Sequence, residues 1–228
     1  MGVSRREILM LSFFAPIWFP LSRTHAADEK EPLFRKDAFP RSIAVLKEAF
    51  VLEMVATRNY VGYSRKALSE SYPNIAYLFI AFSESEKIHA DNYRKTLLLL
   101  GETPEIPTAG IDISNTKDNL QKAAENERAK ITHFYPEFIK RLQPEAHDSS
   151  VVSCMYSWRS HKQHEAEINK ILKYSERYFG HVAKKIEGMD LHYFVCNNCG
   201  STLSKPPEIP CTICNYPMKY YRNIDRPS

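Results

Sequence analysis

Four stretches with helical periodicity, residues 40–70, 73–100, 115–142 and 148–178, each carry side chains of metal-ligand type midway along an otherwise apolar stripe. In the first, Leu46, Phe50, Glu53 and Tyr60 share a face; in the second, Phe79, Phe82, Glu86, His89 and Tyr93 do. The third offers Leu120, Ala123 or Ala124, Glu127 and, further on, Tyr135; the fourth offers Cys154, Trp158, His161, His164, Ile168 and Leu172. Burying such a stripe carries its carboxylate or imidazole inward, and an unpaired carboxylate in an apolar interior is costly. A chain that does this on four helices must pair the buried groups with one another or ligate metal with them. The pattern predicts a mainly α protein, a four-helix bundle with a polar centre.

The punctuation agrees. Pro40 and Pro73 sit where helices start, Ser114 is the expected cap of the third helix, and Gly101 stops the apolar run before it. Residues 101–114 are long and poor in helix formers for a bundle loop, which suits a crossover connection.

After the helices come two C-x-x-C hooks, Cys196/Cys199 and Cys211/Cys214. Two hooks this close wrap one tetrahedral metal in four thiolates, and both iron and zinc suit such a set. Gly200 and Asn215 follow the hooks, where the chain turns back with positive φ. The competing reading, two disulfides, is less natural, because a bond within C-x-x-C is a redox device rather than a staple. Cys154 is left over as a structural residue on an apolar face.

Residues 1–27 run basic, then apolar, then small, and are set aside as an export signal. The apolar run, Ile8 to Leu21, is short and broken by Pro16 and Pro20, so it does not anchor the chain in a membrane, and no other run approaches that length. Arg5-Arg6 resembles a twin-arginine signal, whose route carries folded cargo, and the expected destination is the periplasm. Removal of residues 1–26 takes three arginines and one glutamate, lowering the net charge from +4 to +2. So mild a charge argues against nucleic acid as a partner. Beyond the signal, the chain divides into a bundle over 38–180 and a cysteine module over 190–225.

In ferritin-like di-iron bundles, one Glu from each of two helices joins a Glu-x-x-His from each of the other two. Glu53 and Glu127 fill the single positions here, Glu86/His89 is an intact Glu-x-x-His, and His161-x-x-His164 stands in the other. The stretches EMVATRNY, ESEKIHA, TKDNLQKAAENERAKITHFYPEF and YFVCNNCG…CTIC together resemble the rubrerythrin family, the last resembling its rubredoxin-like module. The resemblance implies a ferritin-like four-helix bundle followed by a small rubredoxin-like metal module with four cysteine ligands. It also implies a di-iron peroxidase, in which the four-cysteine iron returns electrons to the core, in the family often across a head-to-tail homodimer. The electron donor is unnamed, and dioxygen is the alternative oxidant.

By position, Glu53, Glu86, His89, Glu127 and His164 match family ligands, while Tyr60 and Tyr135 match the tyrosines beside them. Two positions depart: His161 and Lys130 stand where the family has carboxylates. Bridging two metals needs carboxylates, because imidazole offers a metal one lone pair. Three outcomes follow: a peroxidase with a modified di-metal centre, a binder of one metal or a ferroxidase, and a structural bundle with an empty core, kept by its four-cysteine knot; in that last case a cluster of Lys130 with Glu53, Glu86 and Glu127 holds the core instead of metal. Glu165, one turn from His161, is an alternative ligand if the fourth helix rotates.

Overall fold

The computed structural model describes residues 38–108, 110–173 and 175–228, leaving aside the side chains of 175–177. The export segment read in residues 1–27 lies outside the described residues. Two long helices, α1 (Pro40–Ser69) and α2 (Pro73–Leu99), form an antiparallel hairpin around a tight turn in which Ser71 takes φ 64°. Gly101, at φ 77°, ends α2 as the sequence suggests. The segment to residue 115 crosses to α3 (Thr116–Ala129), and Ile113 lies so close over Gly62 of α1 that a Cβ there would sit 2.7 Å from it.

The third helix is not continuous. A π-helical turn, Lys130–Phe134, separates α3 from α4 (Tyr135–Leu142). Pro136 has no N–H to give to the carbonyl four residues back, so the α ladder opens there. Eight α-helical steps would carry Tyr135 about 80° off the stripe through Glu127. The wider π turn absorbs that excess and returns Tyr135 to the interior, where it is fully buried. The fourth long helix, α5, spans Asp148–Leu172, shorter than the expected 148–178, and a separate α6 (Ser175–Glu187) follows.

The cap of α3 is Asn115 rather than Ser114: its side chain accepts from the Asp118 N–H at 3.0 Å. Ser114 instead donates its N–H to Asn119 Oδ1 at 2.8 Å. The N-caps of α1 and α2, Phe39 and Tyr72, make no side-chain cap bond. Carboxylates distant in sequence take over: Glu145 accepts from Arg41 and Ser42, and Glu187 from Asn74 and Ile75.

Two apolar clusters fill the bundle, one around Tyr77, Phe79, Phe82 and Leu120, the other around Leu46, Phe50, Tyr93 and Leu142. The cysteine segment closes as a small antiparallel sheet in the order β2-β1-β3, with β1 (Phe194–Cys196) between β2 (Thr202–Leu203) and β3 (Tyr221–Asn223). Its register pairs Val195 with Thr202 on one side and with Arg222 on the other. Gly200 (φ 77°) and Asn215 (φ 59°) take the positive φ that the hooks call for.

Candidate metal centres

The four apolar stripes meet at mid-bundle, and Glu53, Glu86, Glu127, His161 and His164 are each 0 % exposed. Two overlapping groups of potential ligands result, Glu53/Glu86/His89/His161 and Glu86/Glu127/His161/His164, with the donor atoms of each within 4.8 Å of one another. Glu165 is not among them: it lies on the outer face of α5 and pairs with Arg128 at 3.1 Å.

Lys130 enters the first group from the π turn. Its ammonium is 2.8 Å from Glu53 Oε2, 3.1 Å from Glu86 Oε1 and 3.9 Å from Glu127 Oε1. Burial disfavours the ammonium, but the three carboxylates outweigh burial and hold its pKa well above the ordinary lysine value. In return, Lys130 and His161 overcome the burial of Glu86 and Glu127 and keep both ionised, with pKa values far below the carboxylate range. His161 spans two carboxylates, with Nδ1 2.8 Å from Glu127 and Nε2 3.0 Å from Glu53. Burial and Lys130 oppose its cation, yet Glu86, Glu53 and Glu127 prevail, and its pKa is pushed up to about 10.

Tyr60 donates to Glu127 and Tyr135 to Glu53. Burial, reinforced by the neighbouring carboxylates, raises both phenols well above their usual range, so each keeps its proton.

Two imidazoles carry the test of whether metal fits. The Nε2 of His164 donates to Thr202 Oγ1 at 3.2 Å, because that hydroxyl gives its own proton to the Gly200 carbonyl. The Nδ1 of His164 is buried without a hydrogen bond, 3.6 Å from Glu86 Oε1 and 3.7 Å from Glu127 Oε2. Burial opposes a positive charge on this ring, but Glu127 and Glu86 outweigh burial and raise its pKa, so the position draws a cation, whether a proton or a metal. His89 likewise gives Nε2–H to the Cys199 carbonyl at 3.1 Å and turns Nδ1 toward Glu86 Oε2 at 2.8 Å. Burial, only partly offset by Glu86, lowers the pKa of His89 and keeps the ring neutral.

The four thiols converge as well. The Cys196–Cys214 and Cys199–Cys211 sulfurs are 3.8 and 3.5 Å apart, and all four lie within 4.8 Å. A tetrahedron with metal–sulfur bonds of about 2.3 Å has edges of about 3.8 Å, so this set fits one metal. Cys196 and Cys199 hold Cys211 ionised far below the thiol range, while Cys199 itself is pushed far up. Cys154 lies apart from both centres, and burial raises its thiol to about 12, which keeps it inert.

The hook between Cys196 and Gly200 lies directly on the bundle core. Besides the His89 bond, the Gly200 carbonyl accepts from Ser85 at 2.7 Å and Ser160 at 3.0 Å, and Asn92 donates to the Asn198 carbonyl at 2.8 Å. Gln163 Oε1 accepts from Ser201 and from the Thr202 N–H. Gly200 is required twice, for its φ and because a Cβ there would meet His89 Nε2 at 2.4 Å. Sequence patterns do not reveal these contacts of Ser85, Ser160, Gln163 and Thr202, since no spacing rule joins residues on different elements. The π turn did leave a signal, Pro136 inside an otherwise helical run.

This is a ferritin-like helical bundle with a four-cysteine module seated on its ligand cluster. The family model for rubrerythrin matches residues 44–172, more than half of the chain. Rubrerythrin-1 of Clostridium acetobutylicum is 30% identical over 181 residues, covering 77% of this chain and 90% of that protein. Rubrerythrin of Porphyromonas gingivalis is 29% identical, covering 76% and 84%. Among solved structures, fully reduced, all-ferrous nigerythrin superposes with a TM-score of 0.68 at 20% identity over 94% of this chain and all of that one. A bacterioferritin of Desulfovibrio desulfuricans, solved with its diiron site in different catalytic states, gives 0.63 at 19% identity over 68% and 92%. The chain belongs to the rubrerythrin family, whose members are oxidoreductases. Among the described residues no helix is long and apolar enough to cross a membrane.

Proposed function

We propose that the chain is a peroxide reductase: a redox metal among the core glutamates and histidines reduces hydrogen peroxide, and iron in the four-cysteine site resupplies electrons within the same chain. The reaction takes two electrons and two protons per peroxide and yields two waters. One observation carries the reading, the hydrogen bond from His89 Nε2 to the carbonyl of Cys199. It links a sulfur ligand to a core imidazole through a few bonds and one short contact. Zinc among the four cysteines would leave that link without purpose.

The metals, when bound, supply the one-electron chemistry; the chain supplies position and protons. Glu53, Glu86 and Glu127 present fixed negative charge, and Tyr135 and Tyr60 orient Glu53 and Glu127 through their hydroxyls. Those two phenols hold protons at the core, where peroxide reduction consumes them. A core whose carboxylates are fully buried admits only a very small oxidant. Phe82, stacked on His164 with ring centroids 4.2 Å apart, keeps one side of the imidazole dry. Export to the periplasm by the twin-arginine route is part of this proposal, since a protein that must load two kinds of metal site benefits from folding first.

The link is tested with Gly200→Ala, whose new methyl has to push the hook away from His89. Reduced protein is mixed anaerobically with peroxide, and reoxidation of the thiolate iron is followed by its visible absorption. Wild type should reoxidise in one fast phase. The variant should be slower by roughly tenfold or more at equal metal content, the scale on which a shift of about 1 Å is felt. Equal rates in the two proteins, or a wild-type thiolate site that ignores peroxide, would overturn the proposal.

A further inference from the structure

We infer that the bundle core binds one divalent metal, on Glu86, Glu127, His161 and His164, and that the ammonium of Lys130 permanently occupies the place of a second. The inference deepens the function proposed above and rests on it only for the metal's redox role.

Charge and geometry agree. Ligating histidines are neutral, so the buried ionic groups are three carboxylates and one ammonium. One divalent cation cancels the two negative charges that remain. A second would leave two uncompensated positive charges in a closed interior, which is prohibitive.

Space gives the same answer. Glu53 and Glu86, carboxylates of the first ligand group, already point at Lys130 Nζ from 2.8 and 3.1 Å. That side chain is 3 % exposed and rises from a π turn wedged between α3 and α4, so it cannot swing aside into solvent. In the second group the unpartnered Nδ1 of His164 faces Glu86 and Glu127, while His161 Nδ1 stands 2.8 Å from Glu127. Ammonium and metal therefore divide the cluster, with Glu86 shared between them. His89 stands outside this set, its Nε2–H on the Cys199 carbonyl and its neutral ring adding no charge to the count.

Titration with cobalt(II) under anaerobic conditions reads this directly. The full chain is stripped with chelator, loaded, and its metal counted by elemental analysis and native mass spectrometry. Thiolate-bound cobalt is told from oxygen- and nitrogen-bound cobalt by its intense charge-transfer absorption. Wild type should take up two ions per chain, one of each kind. Lys130→Glu, which removes the ammonium and adds a carboxylate, should take up three. His164→Ala should retain the thiolate-bound ion and lose the other. Two core ions in wild type, or none, would overturn the inference without reference to any variant, and so would a Lys130→Glu protein that folds and still holds one. These counts are independent of turnover. A core count of one in a protein inert to peroxide sinks the function and leaves the inference standing, whereas a count of two in an active protein does the reverse.

Discussion

Lys130 decides what the metal-free core is. With its ammonium among Glu53, Glu86 and Glu127, the bundle buries three carboxylates without metal; His161 as a cation cancels a second negative charge, and the raised pKa of His164 draws a proton toward the third. Breaking a buried pair by removing one partner costs about 3–5 kcal/mol. Lys130→Met should therefore lower the stability of chelator-treated protein by that amount in urea unfolding, and added divalent metal should restore much of it. A metal-free variant as stable as wild type would show that the ammonium does not compensate the core. The candidate ligands at this scale are legible in the sequence: Glu53, Glu86, His89, Glu127, His161 and His164 lie on apolar stripes, and burying the stripe buries the group. A cluster of Lys130 with the glutamates is legible too, since a lysine stands where a carboxylate is expected; the distances at which it meets each carboxylate are not. Lys130 lies one turn from Glu127, so its sequence position gives its proximity but not its reach to Glu53 and Glu86 on other helices.

Helices α1 and α2 begin with prolines, so their starts are easy to place, yet the residues before them, Phe39 and Tyr72, cannot cap. The exposed N–H groups are met by Glu145 from the loop before α5 and by Glu187 at the end of α6. No local pattern encodes a cap that arrives from about 100 residues away. The same limit hid α6, whose role is to deliver Glu187 and to bring the Ile186 and Met189 carbonyls to Asn74.

Glu145 carries a pH prediction. Burial favours its neutral form, but the Arg41 and Ser42 N–H groups outweigh burial and lower its pKa. A carboxylate whose folded pKa is depressed stabilises above its unfolded value, about 4.3, and the benefit is lost as pH falls through the folded value. Glu145→Gln should cost about 0.5–1 kcal/mol at neutral pH, the low end for a cap because this carboxylate reaches solvent. The gap from wild type should close as the pH falls below about 4.3. A gap that stays constant down to acid unfolding would mean that the carboxylate charge plays no part in holding α1.

At the scale of the molecule, the cysteine module does not stand apart from the bundle. Its first hook covers the open edge of the ligand cluster, and Tyr77 reaches the Ile224 carbonyl to fasten the C-terminal segment to α2. The resemblance to rubrerythrins suggests electrons crossing between subunits; the in-chain contact offers a route that needs no second subunit. Sequence could point to both candidate metal sites because each is a local pattern on one face or in one pair of hooks. It could not join them, because their junction depends on small polar residues, Ser85, Ser160 and Thr202, that any exposed helix or loop carries as readily.

On the proposed function and the single core metal inferred above, the two sites would form a two-electron unit, one electron from the core metal and one from the thiolate iron, matched to one peroxide. An anaerobic titration of the fully reduced, iron-loaded chain with hydrogen peroxide, followed at the thiolate iron absorption, measures that match directly. The predicted endpoint is one peroxide per chain, with both sites oxidised together. An endpoint of three peroxides per two chains would mean a core with two irons, and a thiolate iron still ferrous after excess peroxide would mean that the two sites do not exchange electrons at all.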